Sequence, residues 1–166
     1  MSKSLKIALA IQVLIMLSVL IPPVITKATG TEVFLETERV DPRALFRGDY
    51  VILSYPIGRD VSKELAKKAL ESGDLVYVTV SLDKPAKFIS ASTEKPNLDR
   101  GQACLVARVD ESMRRNEEVS LSFPQISQFF VPEGTGRDIE SDLNTMAAKV
   151  ATTKSCNAVL LNLDYL

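Results

Sequence analysis

The chain has 166 residues, with 20 Lys+Arg against 21 Asp+Glu and no histidine. This balanced charge argues against nucleic-acid binding, which requires clustered Lys and Arg to release counterions. The absence of histidine excludes Ser-His-Asp and Cys-His catalysis and His-liganded zinc, and we expect neither a metal nor a cofactor. Lysine, carboxylate or tyrosine chemistry stays open, but no catalytic set is recognisable, so the sequence favours a non-enzymatic role.

The N-terminal segment is predicted to be a transmembrane helix. From Ile7 to Ile25 the only polar side chains are Gln12 and Ser18. About 19 residues at about 1.5 Å each nearly span the ~30 Å hydrocarbon core of a bilayer. The run is longer than the apolar part of a signal peptide and lacks a suitable cleavage site, so we expect a retained anchor. Pro22 and Pro23 predict a kink or the end of the helix near its far side.

The lysines around this segment predict its orientation. Lys3 and Lys6 precede the apolar run, whereas Lys27 and then Glu32 follow it. The positive-inside rule then gives a cytoplasmic N-terminus of residues 1–6, a signal-anchor helix of residues 7–26 in contact with membrane lipid, and an extracytoplasmic domain of residues 27–166. We therefore expect a single-pass protein of the plasma membrane.

After the anchor, short runs of apolar and β-branched residues alternate with turn signals. The predicted strands are Glu32–Val40, Tyr50–Tyr55, Leu75–Leu82, Ala86–Ala91, Gln102–Val109 and Val119–Phe123, followed by a hairpin of Ala147–Thr153 and Ala158–Leu163. Val61–Ser72 and Gly136–Asn144 are predicted to be helices, the first ending at Gly73. The pattern predicts a mainly β (α+β) domain, an antiparallel sheet or partly open β-barrel with one or two short helices, preceded by a single transmembrane helix.

The two cysteines, Cys104 and Cys156, lie far apart and without CxxC spacing, which leaves a zinc site unsupported. We expect a pair of small, partly buried apolar residues. The alternative is a disulfide, which requires an oxidising compartment.

The densest local pattern runs from Val40 to Tyr55 and reads as strand, turn and strand. Asp-Pro starts a turn, and a glycine precedes a strand in which Val51, Leu53 and Tyr55 share one face while Tyr50 lies on the other. The charged residues of the turn are expected to pair within the domain, although two arginines near a turn can also hold a carboxylate or phosphate. The polar and turn residues concerned are Asp41, Arg43, Arg47, Gly48 and Asp49.

The sequence around this turn resembles the motif of a known protein family. Gly48-Asp49-Tyr50, Leu53 and Tyr55 match the motif of the bacterial, membrane-anchored GDYXXLXY family, and the upstream Val40–Arg47 stretch is similar to that family's DPR…RGDY sequence. A second block, Gln128–Gly136, resembles the family's YFVPEG.G segment, with Phe129 in place of the usual tyrosine. The resemblance implies an anchored envelope domain that accompanies polytopic membrane proteins, and it implies no biochemical activity.

Within the second block, Pro132, Glu133 and Gly134 form a predicted ordered turn. We expect Glu133 to pair with or cap the Arg47–Asp49 turn and so to fix the loop.

Three functions follow from these observations. The first is a structural or interaction module of a membrane complex, with a polytopic membrane protein as partner. The second is a small-ligand or anion-binding domain built on Arg43, Arg47 and the Glu133 loop. The third is a membrane-tethered peptidase, which is disfavoured because no serine lies at Val40–Pro42 and Ser54 lacks an evident lysine partner.

Overall fold

The computed structural model describes residues 3–38, 50–73, 75–110, 119–132, 139 and 142–165. It begins with a 27-residue helix, α1 (Lys3–Thr29), that is long and apolar enough to cross a membrane. None of the apolar run of α1 is buried against the rest of the chain. Its last turn is different, because Thr26 is only 2% exposed and α1 contacts the final hairpin.

Of the two outcomes predicted for Pro22 and Pro23, a kink or the end of the helix, the end is wrong, because the helix continues to Thr29. A proline removes only its own amide donor, and the remaining backbone groups of the last turns still bond along the helix. Gly30 follows the last helical residue, and its N–H donates to Thr26 O at 2.9 Å. A Cβ at Gly30 would lie 2.5 Å from Thr26 O and 3.1 Å from Ala151 Cβ, so the residue allows close packing of α1 on the domain.

In the described part of the domain, antiparallel strands lie in three sheets, which form a half-barrel. A three-stranded sheet has the order β1-β8-β9, a two-stranded sheet pairs β2 with β7, and a four-stranded sheet has the order β4-β3-β5-β6. The strands are β1 (Thr31–Glu36), β2 (Tyr50–Ile52), β3 (Leu75–Ser81), β4 (Phe88–Ser92), β5 (Gln102–Val109), β6 (Leu121–Ser122), β7 (Gln128–Phe130), β8 (Met146–Thr152) and β9 (Ala158–Tyr165). The mainly β fold class is thereby confirmed.

The core lies between the sheets and one short helix. Alternation along β3 buries Val76, Val78 and Val80 completely. Helix α2 (Lys63–Ser72) covers β3 and β5 with the small side chains of Ala66 and Ala69, which are fully buried and let the helix approach the sheet closely.

The ends of α2 follow from its sequence. The side chain of Ser62 accepts a hydrogen bond from Leu65 N at 3.3 Å and caps the N-terminus, so the helix starts two residues later than the predicted Val61. Gly73 adopts φ +109° as the C-cap, which a side-chain-bearing residue adopts only with strain. The predicted stop at glycine is confirmed.

Most strands lie where the sequence predicts them, although most are shorter than predicted. The closing hairpin matches its predicted position, with β9 extended to Tyr165. Strand β4 begins at Phe88 and not at Ala86, because Ala86 N–H donates to Phe34 O of the three-stranded sheet at 2.7 Å. Most of the predicted helix Gly136–Asn144 lies outside the described residues, and its last two residues belong to a 3-10 turn, Leu143–Thr145.

Candidate functional site

The two sequence blocks that carry the family resemblance meet in one β-ladder. Strand β2 pairs with β7 in antiparallel register, with Tyr50 opposite Phe130 and Ile52 opposite Gln128. The ladder continues one bond further, because Leu53 N–H donates to Ser127 O at 2.9 Å. The described parts of the two blocks, about 80 residues apart in sequence, therefore form a single structural unit.

The C-terminal half of the first block is a core anchor. Leu53 and Tyr55 are both buried. The Tyr55 hydroxyl donates to Ile126 O at 2.7 Å, and its ring meets Phe123 edge-on with centroids 5.6 Å apart. Burial raises the pKa of Tyr55 far above its ordinary value, so its hydroxyl stays a proton donor. These contacts give Tyr55 a structural role.

Tyr50, the first described residue of the block, lies at the surface. Tyr50 is half-buried, and its ring contacts Phe130 with centroids 6.1 Å apart at an interplanar angle of 60°. Phe130 is 74% exposed. An aromatic pair contributes binding energy when a partner covers it, whereas in water it gains little from burial. The ladder thus presents an exposed aromatic pair beside its buried core residues.

A polar cluster stands next to this ladder. Glu38 and Ser54 form an isolated antiparallel bridge, and the Ser54 hydroxyl donates to Glu38 Oε1 at 3.0 Å. The guanidinium of Arg59 pairs with the other oxygen of the same carboxylate. Within the described part of the chain, no hydrogen bond or ion pair joins Ser54 to a lysine. The Ser-Lys pair of a tethered peptidase is therefore not found at Ser54.

Several predicted site residues lie outside the described residues. Of the second block's turn, Pro132 is described and is exposed. The predicted pairing of Glu133 with the Arg47–Asp49 turn stays a prediction. The site residues outside the described ranges are Asp41, Arg43, Arg47, Gly48, Asp49, Glu133 and Gly134.

The two cysteines form a disulfide. The expectation that they are two separate, partly buried apolar residues is wrong, and the alternative is confirmed. Cys104 lies in β5 and Cys156 in the turn between β8 and β9, with Cα atoms 4.9 Å apart. The Thr152 hydroxyl donates to Cys104 O at 2.6 Å beside the bond. Cys156 has φ +61°, a left-handed angle held by its N–H bond to Thr153 O. The disulfide ties the four-stranded sheet to the three-stranded one.

Sequence reasoning missed the Glu38–Arg59 pair and the burial of Thr26 against the domain. Both depend on contacts between distant segments, and neither has a local signal. Among the residues that the structure describes, no group of three or more cysteines or carboxylates is placed to hold a metal ion.

One comparison with known proteins, that with family models, gives a match. Searches of curated proteins and of solved structures gave no match to the chain. A protein-family model with the description "GDYXXLXY protein" matches residues 12–163, from within α1 to within β9, and so includes both blocks of the β2–β7 ladder. The chain belongs to the GDYXXLXY protein family.

Proposed function

We propose that this chain is a membrane-anchored structural or interaction module of a bacterial envelope membrane complex, with its domain on the extracytoplasmic side. The observation that carries the proposal is the exposure of the apolar side chains of α1. Its apolar run is exposed all around, while its last turn is fixed to the domain through the buried Thr26. A helix that is apolar all round belongs in a protein core or a bilayer, and α1 is not in the core of this chain.

The orientation is supported by two independent features. Lys3 and Lys6 flank the N-terminal side of the apolar run, which favours a cytoplasmic N-terminus. The disulfide of Cys104 and Cys156 favours an oxidising compartment for the domain, because cytosolic thiols are kept reduced.

The partner surface is assigned to the exposed end of the β2–β7 ladder. Phe130 and Tyr50 offer apolar area beside a rigid ladder, and aromatic side chains dominate the binding energy of protein interfaces. Because α1 holds the domain close to the bilayer, a polytopic membrane protein with an extracytoplasmic loop is the partner we favour. The anion-binding alternative depends on Arg43 and Arg47, which lie outside the described residues, and no described feature favours that site.

Site-specific photo-crosslinking in intact cells tests the proposal. A benzoylphenylalanine introduced at Phe130 of the full chain keeps an aromatic ring at the position. We expect a discrete crosslinked species between this residue and a membrane protein. The matched control is the same probe at Ile89, which is 44% exposed in β4 of another sheet. Crosslinks from Phe130 no stronger than those from Ile89 would contradict an interaction role for the ladder.

A further inference from the structure

A small pocket lies beside the first residue of β1, two residues after α1 ends, and shares no residue with the motif ladder. Its volume is about 220 Å³, and it is lined by Thr31, Asp99, Arg100, Thr153 and Lys154 among others. Pockets for drug-sized ligands measure about 300–1,000 Å³, so this one fits a small group and not a large organic ligand.

The lining carries two cations that have no partner among the described residues. No ion pair or side-chain hydrogen bond joins Arg100 or Lys154 to another residue within the described part of the chain. Asp99 also lines the pocket, which leaves a net charge of one positive unit among these three groups. The turn that carries Arg100 is fixed, because Gly101 adopts φ +83° and its carbonyl accepts the Leu82 N–H at 3.1 Å. The guanidinium is thus presented from a constrained loop.

A second, independent feature points to a ligand with acceptor atoms. Thr153 Oγ1 is buried and has no hydrogen-bond partner among the described residues, although Thr153 lines the pocket. A buried hydroxyl without a partner costs free energy, and an oxyanion in the pocket would supply the missing acceptor once the Thr153 side chain turns its hydroxyl toward it. Arg, Lys and a hydroxyl together form the donor set that binds phosphate oxygens in proteins.

The position of the pocket near the end of α1 favours a membrane lipid as the source of a phosphate. Thr31, the first residue of β1, lines the pocket and follows the end of α1 by two residues. From Ile25, four helical rises of about 1.5 Å and two extended residues of at most ~3.6 Å reach Thr31, so at most about 13 Å of chain separates the pocket from the hydrocarbon. Long Arg and Lys side chains bridge part of that distance toward the headgroups.

We propose that this pocket binds the headgroup phosphate of an anionic phospholipid, with Arg100, Lys154 and the Thr153 hydroxyl as its donors. The inference rests on the proposed membrane anchoring, since only a membrane-embedded α1 brings the pocket to headgroup depth. Lipid bound there would hold the domain against the bilayer surface and fix its tilt relative to α1.

Native mass spectrometry of the full chain, delipidated in a neutral detergent, tests the proposal. The probes are dioctanoyl phosphatidylglycerol, dioctanoyl phosphatidylcholine and inorganic phosphate. We expect one phosphatidylglycerol per chain, bound at least about tenfold more tightly than the other two probes. The double variant Arg100→Gln/Lys154→Gln should weaken this binding at least about tenfold, because it removes two charge-assisted contacts.

The matched control is Lys67→Gln/Lys68→Gln, which removes the same charge from the exposed face of α2 and should leave binding unchanged. Helix α2 leads into Leu75, which pairs with Arg108 at the other end of β5 from the pocket. If both double variants lost the same amount of phosphatidylglycerol affinity, or if neither lost any, the proposed site would be wrong. Equal affinity for inorganic phosphate would overturn the lipid as its ligand.

Thr153→Val separates a ligand site from a packing defect. Without a ligand the variant should melt no lower than the wild type, because it removes an unsatisfied hydroxyl. We therefore expect Thr153→Val to melt at or above the wild-type temperature and to bind phosphatidylglycerol more weakly. Unchanged lipid binding would contradict the assigned donor. Because the assay is done in detergent, a negative result refutes the pocket and leaves the proposed anchoring and orientation standing.

Discussion

Removing the disulfide, by Cys104→Ala together with Cys156→Ala, is expected to lower the free energy of unfolding of the domain substantially. The bond closes a loop with a sequence separation of 52 residues. On the chain-entropy model, opening a loop of that length costs about 4 kcal/mol. For a domain of this size we expect the melting temperature to fall on the order of 10–15 °C.

The position of the bond explains why its loss should be felt across the domain. Cys104 belongs to the four-stranded sheet and Cys156 to the turn of the three-stranded one, and both are fully buried. In the variant without the disulfide, the hydrogen bond from the Thr152 hydroxyl to Cys104 O still joins these two sheets at the same place. A single hydrogen bond contributes only about 0.5–1.5 kcal/mol, so it cannot replace the cross-link.

Thermal melting of the full chain in a neutral detergent measures the effect. Tyrosine fluorescence is a suitable signal, because the chain has four tyrosines and no tryptophan. Dithiothreitol should lower the melting temperature of the wild type to that of the double variant, and it should leave the variant itself unchanged. A wild type that melts within about 3 °C with and without reductant would refute the reasoning, since that shift corresponds to roughly 1 kcal/mol for a domain of this size.

Three further predictions concern the motif and the junction with the helix. Leu53→Ala should lower the free energy of unfolding by about 2–5 kcal/mol in urea titrations, because it opens a cavity in the core, whereas Tyr50→Ala at the surface should cost less than about 1 kcal/mol. Tyr55→Phe should cost about 1–3 kcal/mol by leaving Ile126 O without its buried donor. Above pH 10 the wild type should also lose stability by up to about 1.4 kcal/mol per pH unit, because unfolded tyrosine ionises while the raised pKa keeps Tyr55 protonated; Tyr55→Phe should lose less. Gly30→Ala should lower the melting temperature by an amount equivalent to about 1–3 kcal/mol, since its Cβ has no room at the end of α1.

Each of these predictions has an outcome that contradicts it. Equal losses for Leu53→Ala and Tyr50→Ala would contradict the burial of Leu53 and the surface position of Tyr50. An identical alkaline profile for wild type and Tyr55→Phe would show that Tyr55 is not held protonated by burial. Wild-type melting of Gly30→Ala would mean that α1 is not packed closely on the domain.

The sequence predicts the local elements of this fold well, because their causes are local. The alternation of Val76, Val78 and Val80 and the glycine after Ser72 place β3 and the end of α2. The apolar run of Ile7–Ile25 places the helix, although not its end, which depends on packing of the last turn against the final hairpin.

The long-range contacts are what the sequence does not predict. Strand β7 is three residues long and lies between Pro124 and Pro132, so it has no period of its own, and only its pairing with β2 defines it. The Cys104–Cys156 bond likewise depends on a Cα separation that only the folded sheets establish. Both blocks of the motif could be recognised from the sequence, and the expected contact of Glu133 with the Arg47–Asp49 turn already brings them together, but the strand pairing of β2 with β7 could not be predicted.

The side of the membrane on which the domain lies tests the central proposal most directly. Full-length chains fused after Leu166 to alkaline phosphatase or to green fluorescent protein report that side in intact bacterial cells, because the phosphatase is active only outside the cytoplasm and the ordinary fluorescent protein only inside it. We predict an active phosphatase fusion and a dark fluorescent fusion, both in the membrane fraction. A fluorescent fusion together with an inactive phosphatase fusion would contradict an extracytoplasmic domain. Fusion proteins from which α1 has been cleaved, and which are therefore found outside the membrane fraction, would contradict a retained anchor.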